Sequence, residues 1–255
     1  MLNLEIEGAL AVLTLKRAPA NAINLEWLDA FEACLKRLEG EEAVAVLHLR
    51  SSERVFCAGA DLHLLSASLA SDAGVEAMMR VVGRMQQAYA RLARLSQVTV
   101  AEIGGAALGG GLELCLACDL RIMADEATVG LPESRLGLLP GAGGTQRLTL
   151  IAGSAVASRL ILGAETVKGQ EARNLGLVQW SVSAHDLPQR AADLAASLAR
   201  LPAAALAACK RCIAAAAPAN QEGFRTEVAE TRDLYRNEST RALIAEFLRA
   251  RSSKN

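Results

Sequence analysis

The order of local patterns along the chain constrains the fold most. Up to about residue 180, short apolar runs with strand character alternate with longer stretches of helical spacing. Beyond that only helical spacing continues, through 186–200, 203–216, 219–235 and 239–250, with Pro202 and Pro218 as breaks. Alternating strands and helices imply an α/β fold with a parallel sheet covered by helices. A purely helical tail either caps that core or packs against another subunit. The one boundary falls near Ser183–Pro188, separating residues 1–185 from a helical region at 186–255. Within the first part, 2–7 and 10–16 read as a hairpin around Glu7-Gly8. Helices are expected over Leu25–Leu38 and Glu76–Leu95. Ala43–Leu49, Val98–Ile103, Asp119–Met123 and Thr128–Leu131 read as strands, and a helix opens at Gly109-Gly110-Gly111 and runs to Ala117.

A chain of 255 residues can bury a sizeable core. At 52% hydrophobic and 3% aromatic, that core must be built from Ala, Leu, Val and Ile. The net charge of -1 comes without a basic or acidic block, which argues against nucleic acid and membrane surfaces as partners. Charges interrupt every apolar run before it reaches bilayer length. The start, MLNLEIEGAL, lacks the basic and apolar regions of a secretory signal, so a cytoplasmic location is expected.

Four of the six cysteines form two C-x-x-C pairs, Cys115/Cys118 and Cys209/Cys212. That pattern can hold zinc. Both pairs lie in Ala/Leu-rich helical stretches without a Gly-containing knuckle, so packing of small apolar side chains is the expected role and no metal is expected.

Three segments could carry chemistry. Phe56-Cys57-Ala58-Gly59-Ala60-Asp61-Leu62 joins a strand to a helix; small residues there allow close backbone approach to a ligand, though taken alone it reads as an ordinary tight turn. In Ala107-Leu108-Gly109-Gly110-Gly111-Leu112-Glu113 the glycines place free N–H donors and the positive end of a helix dipole where an anion could sit. The spacing is neither a Walker loop nor a dinucleotide fingerprint. Glu113 follows inside Leu112-Glu113-Leu114-Cys115-Leu116. It is either a surface acid on an amphipathic helix or a desolvated carboxyl with a raised pKa, suited to acid/base work. Glu133, in Gly130-Leu131-Pro132-Glu133, is either a first-turn acid favoured by the dipole or a second carboxyl delivered to the same cleft.

RAPANAIN (17–24), RVFCAGADL (54–62), GGAALGGGLELCLACDLRI (104–122) and GLPESRLGLLPGAGGTQRL (130–148) together resemble the crotonase superfamily, the enoyl-CoA hydratase/isomerase family, over nearly the whole chain. The resemblance implies a spiral of ββα units with a helical C-terminal region that packs homotrimers, often stacked as homohexamers. It implies an acyl-CoA thioester substrate and no separate cofactor, because the thioester carbonyl is the electron sink. The family's oxyanion donors carry over to Ala60 and Gly110, and its acid/base pair to Glu113 and Glu133. Its substrate and CoA contacts carry over to Ala20, Ala58, Asp61, Leu62 and His63. In some relatives the C-terminal segment of one subunit closes the CoA site of the next, which would place Phe247 and Arg251 near a neighbour's ligand. His63 stands where many members have a basic CoA contact, and Phe247-Leu248-Arg249-Ala250-Arg251 replaces a Phe-x-x-Lys-Arg pattern. The implied reaction is reversible syn hydration of a trans-2-enoyl-CoA. Alternatives are a Δ3,Δ2-enoyl-CoA isomerase and, from another class, a CoA-thioester or RNA-binding protein without turnover.

Overall fold

The computed structural model describes residues 1–216 and 221–252. Its strands are β1 (Leu2–Glu7), β2 (Leu10–Leu15), β3 (Val46–Ser51), β4 (Val98–Ile103), β5 (Ala107–Leu108), β6 (Leu120–Ala124), β7 (Thr128–Gly130), β8 (Thr166–Lys168) and β9 (Trp180–Val182). The α-helices are α1 (Leu25–Glu39), α2 (Leu62–Ala70), α3 (Asp72–Arg94), α4 (Gly110–Leu116), α5 (Gly144–Ile161), α6 (Gly169–Asn174), α7 (Leu187–Ala199), α8 (Ala203–Ala216), α9 (Gln221–Arg236) and α10 (Glu238–Ser252), with a short 3-10 helix at Pro132–Leu136.

The larger sheet runs β1-β2-β3-β4-β6-β9. Only the β1/β2 hairpin is antiparallel; every later neighbour pairs in parallel. β5, β7 and β8 make a smaller sheet in which β5 and β7 are parallel. The mixed α/β expectation therefore holds, with the sheet mostly parallel and helices closing the chain.

The stripe on α1 buries Trp27, Leu28, Phe31, Leu35 and Leu38. Trp27 stacks on Phe31 with centroids 4.9 Å apart, and Phe31 meets Tyr89 of α3 edge-on at 6.4 Å. Such pairs add about 0.5–1.5 kcal/mol beyond area burial. α3 begins at Asp72, four residues before the expected start at Glu76, because Ser71 caps it by accepting from Gly74 N at 3.2 Å. The strand expected at Ala43 begins at Val46; Val44 and Ala45 lie outside the strand span, although both are buried.

The C-terminal helices divide between two jobs. α7 packs on the large sheet and contributes Leu187, Ala191 and Ala195 to the main core. α9 and α10 instead cover α2 and α3, where Leu65, Val75, Met78, Met79, Leu138, Tyr235 and Ile244 form a second apolar cluster. The expected packing role of the cysteine pairs holds for one pair and fails for the other. Cys115 and Cys118 are buried, whereas Cys209 and Cys212 are exposed. Helical spacing located α8 but not which of its faces has a neighbour; from Arg211 to Ala215 every residue is exposed. Among the described residues no single helix is long and apolar enough to cross a membrane.

Candidate active site

The site is organised by a sheet pairing of two residue pairs. β5 and β7 pair in parallel, Ala107 with Val129 and Leu108 with Gly130, and Gly109 N–H extends the ladder to Gly130 O at 3.0 Å. Parallel strands end on the same side, so the segments leaving β5 and β7 emerge together. The first becomes α4, carrying Glu113 in its first turn; the second becomes the 3-10 helix, carrying Glu133. Gly109 is required at the junction. Its φ is +53°, and a Cβ there would stand 2.8 Å from Glu133 Oε1.

The backbone donors come from the adjoining segment. Cys57 N–H donates to Ala106 O at 3.1 Å and Leu108 N–H to Cys57 O at 3.0 Å, laying Cys57–Gly59 along β5. On its other edge, Ile23 N–H donates to Gly59 O at 2.8 Å and Asp61 N–H to Ile23 O at 2.9 Å. In an extended segment the intervening residue points its N–H the opposite way, so Ala60 N–H faces α4. Gly110 N–H heads α4, where the first amides have no intrahelical acceptor. Neither group has an acceptor among the described residues. The two segments touch, since a Cβ on Gly59 would lie 3.2 Å from Gly110 N. Tyr89 Oη fixes the peptide from behind by donating to Gly110 O at 2.9 Å.

Glu113 is 2% exposed, and its Oε1 accepts from Ala142 N and Gly144 N, both at 2.8 Å. Burial first, then the charges of Glu133 and Glu227, hold its carboxyl well above the usual range, against the pull of those two amides. Glu133 is half-buried as a residue, but its Oε2 is shielded and has no hydrogen-bond partner. Burial is the main cause that pushes its pKa up to about 7; its own backbone amide opposes this and Glu227 adds to it.

The other expected site residues divide into three groups. Ala20 and Ala58 meet through Ala58 N–H to Ala20 O at 3.0 Å, with Ala58 exposed beside the donor pair. Asp61 is committed elsewhere: its carboxylate caps α2 through His63 N at 2.9 Å and pairs with Arg17 Nη2 at 2.7 Å. His63 is exposed on the first turn of α2, and Leu62 packs on the second apolar cluster. Phe247 joins that same cluster within its own chain, and Arg251 stacks over its ring at 5.3 Å. Sequence reasoning missed Glu227 and Arg147. Glu227 lies on the buried stripe of α9 with Thr231 and Tyr235, and nothing local marks it as different from a boundary acid. Arg147, 9% exposed, donates to Ala142 O at 2.8 Å and lies over Phe224. A cavity of about 400 Å³ is lined by Leu139, Thr145, Gln146, Glu227 and Glu230, among others, but by neither Glu113 nor Glu133. The converging polar groups, not this hollow, make the candidate site.

Two neighbouring carboxyls beside two free backbone donors are groups suited to acid/base work on a substrate that develops an oxyanion. Residues 5–253 match the family model described as enoyl-CoA hydratase/isomerase. A Bacillus subtilis (strain 168) protein named "Probable enoyl-CoA hydratase" is 35% identical over 254 residues, covering 98% of this chain and 96% of that protein. The short-chain-enoyl-CoA hydratase of Clostridium acetobutylicum is 35% identical over 199 residues, covering 75% and 72%. The crystal structure of enoyl-CoA hydratase from Bacillus anthracis superposes with a TM-score of 0.79 at 31% identity, covering 92% of this chain and 89% of that one. The chain belongs to the enoyl-CoA hydratase/isomerase family and has the crotonase fold. Membership implies an acyl-CoA ligand.

Proposed function

We propose that the protein hydrates trans-2-enoyl-CoA thioesters to 3-hydroxyacyl-CoA. The observation that carries this reading is the unequal treatment of two neighbouring glutamates beside the Ala60 and Gly110 donors. Two amides bond Glu113 Oε1 and favour its ionised form; Glu133 Oε2 has no donor. This reading requires the pair's shared proton on Glu133, although burial raises Glu113 as well. Glu113, through Oε2, takes a proton from water as the water oxygen bonds to C3. The C2–C3 π electrons move toward the thioester carbonyl, whose oxygen gains charge against Ala60 N–H and Gly110 N–H. Glu133 then delivers its proton to C2. Water supplies the added OH and H overall, so the Glu113 proton must return to Glu133 before the next turnover. The thioester carbonyl receives the electron pair, so the scheme calls on no metal or redox cofactor. Losing one such backbone donor costs about 3–4 kcal/mol of barrier.

The test is loss of enoyl-thioester absorbance when crotonyl-CoA and longer trans-2-enoyl-CoAs are mixed with the protein. A 3-enoyl-CoA is supplied in parallel to detect isomerisation. Turnover of the 3-enoyl substrate alone would overturn the hydratase reading in favour of an isomerase.

A homotrimer or homohexamer is part of the same proposal. Leu201 and Ile213, 48% and 74% exposed, flank the uncovered face of α8, and burying such surface against a neighbour removes its contact with water. Sedimentation should give three or six chains per particle. A stable, fully active monomer at micromolar concentration would exclude this assembly.

A further inference from the structure

We propose that Glu227, on α9, is a third member of the acid/base machinery: a positioning residue that sets the backbone donors of Glu113 and biases where the proton of the Glu113/Glu133 pair resides. This rests on the hydratase reading for its catalytic consequence, but its geometry does not.

Four successive peptide N–H groups at the entry to α5 are dealt alternately to two buried carboxyls. Ala142 and Gly144 donate to Glu113 Oε1. Gly143 donates to Glu227 Oε1 and Thr145 to Glu227 Oε2, at 3.1 Å for the latter. Gly143, with φ at +98°, makes the alternation possible by turning adjacent amides to opposite sides. Thr145 Oγ1 adds a further donor to Glu227 Oε2, and Gln86 Nε2 of α3 a longer one at 3.4 Å to Oε1. Glu227 is thus surrounded by donors, the setting of a carboxylate; it is 3% exposed, and burial raises its pKa against the pull of those donors. The amides that hold Glu113 cannot shift without breaking those that hold Glu227.

The charged and titratable groups around it come from every packed element. Glu113 faces it from α4 and Glu133 from the 3-10 helix, both raised in part by its charge. Arg147 of α5 faces both Glu113 and Glu227, with Arg94 behind it. Tyr89 of α3 faces Glu113 and Arg147, and Tyr235 of α9 faces Glu133. Arg147 therefore faces two of the three carboxyls, and removing the Glu227 charge relieves the repulsion that keeps a proton on the pair. Glu133 then loses its proton at lower pH.

The experiment compares wild type with Glu227→Gln, Glu227→Asp and, as a charge control on the exposed face of α9, Glu230→Gln. Glu227→Gln should lower kcat for enoyl-CoA hydration about 10- to 100-fold with little change in KM, and should move the alkaline limb of the pH–rate profile to lower pH. Glu227→Asp keeps the charge but shortens the reach, so kcat should fall while the limb stays. Glu230→Gln should match wild type. Carboxyl titration by NMR with ¹³C-labelled glutamate reads the same shift without turnover, and does so if Glu227→Gln is only partly stable. An unmoved Glu133 titration in Glu227→Gln, or an alkaline limb moved equally by Glu230→Gln, overturns the proposal. Should Glu227→Gln not fold, an alkaline limb displaced in Glu227→Asp overturns it instead. Wild type that hydrates no enoyl-CoA sinks the hydratase reading and leaves the NMR titration to decide the role of Glu227.

Discussion

Glu113 and Glu133 leave the same end of the β5/β7 pair and reach the same place, yet the two segments that deliver them differ. α4 starts on a glycine with its first amides free, and its glutamate receives two more amides from the entry to α5. The 3-10 helix starts on Pro132, and its glutamate has a shielded oxygen with no donor at all. One residue type thus acquires two hydrogen-bonding environments, while burial and the charge of Glu227 raise both pKa values. The partners each segment recruits, rather than burial, are what distinguish the two acids.

The harshest way to break the comparison is to neutralise either side. Glu113→Gln and Glu133→Gln should each lower hydration turnover by at least about 100-fold, with thioester binding retained because the oxyanion donors are backbone. Steady-state kinetics and calorimetric binding of a saturated acyl-CoA check both halves. Near-normal turnover in either variant would falsify the two-carboxyl mechanism.

Moving the two sides apart should cost less. Gly109→Ala strains a φ of +53° and drives a methyl group to 2.8 Å from Glu133 Oε1, so kcat should fall about 10- to 100-fold, the scale of small misplacements. A variant with wild-type kcat would show that the carboxyl separation is not critical.

The asymmetry should also appear in the pH–rate profile of the wild type. Since Glu133 must carry a proton and is pushed up to about 7, kcat/KM for hydration should decline as pH rises through that region. Glu133→Gln, already weak, should lack that limb. A limb that persists in the variant assigns it to another group.

The smallest effect is on stability, and its sign is opposite to that on activity. Burial pushes Glu133 up to about 7 in the folded chain from an ordinary 4.5, so the folded state binds more protons between these values. Its stabilising protonation is complete below the lower value and lost as pH rises through the upper one. Glu133→Gln should therefore be more stable than wild type at pH 8, by on the order of 1–3 kcal/mol, and little changed near pH 4. Urea denaturation at the two pH values measures this. A gain confined to the acid side would mean that Glu133 titrates below its ordinary range.

Much of this was legible in the chain. The β1/β2 hairpin, α1, β4 and the start of α4 are long enough, or flanked by strong enough breakers, for local periodicity to place them within a residue or two. The glutamates at 113 and 133 stand out because an acid inside an apolar run, or directly after Pro at a strand end, is unusual. β5, β8 and β9 span two or three residues each and carry no period of their own; their pairing partners create them. Asp61, read as a ligand contact, spends its carboxylate on Arg17 and on the amide of His63, partners that its own segment cannot reveal.

By itself the sequence determined the alternation of strand and helix, the glycines that let α4 begin beside another backbone, and the identity of the acids. These follow from propensity, periodicity and the absence of a Cβ, all properties of a few neighbouring residues. Only the tertiary structure decided that β5 and β7 would lie parallel and so aim two acids at one place. It alone directed Ala60 N–H and Gly110 N–H to the same side, and laid Glu227, from a helix more than 80 residues after the entry to α5 for its nearest amide donors, across that entry. Hydrogen bonds and Coulomb interactions act through space, so the groups that set a carboxyl's proton affinity are those the fold brings within a few ångströms, whatever their distance along the chain.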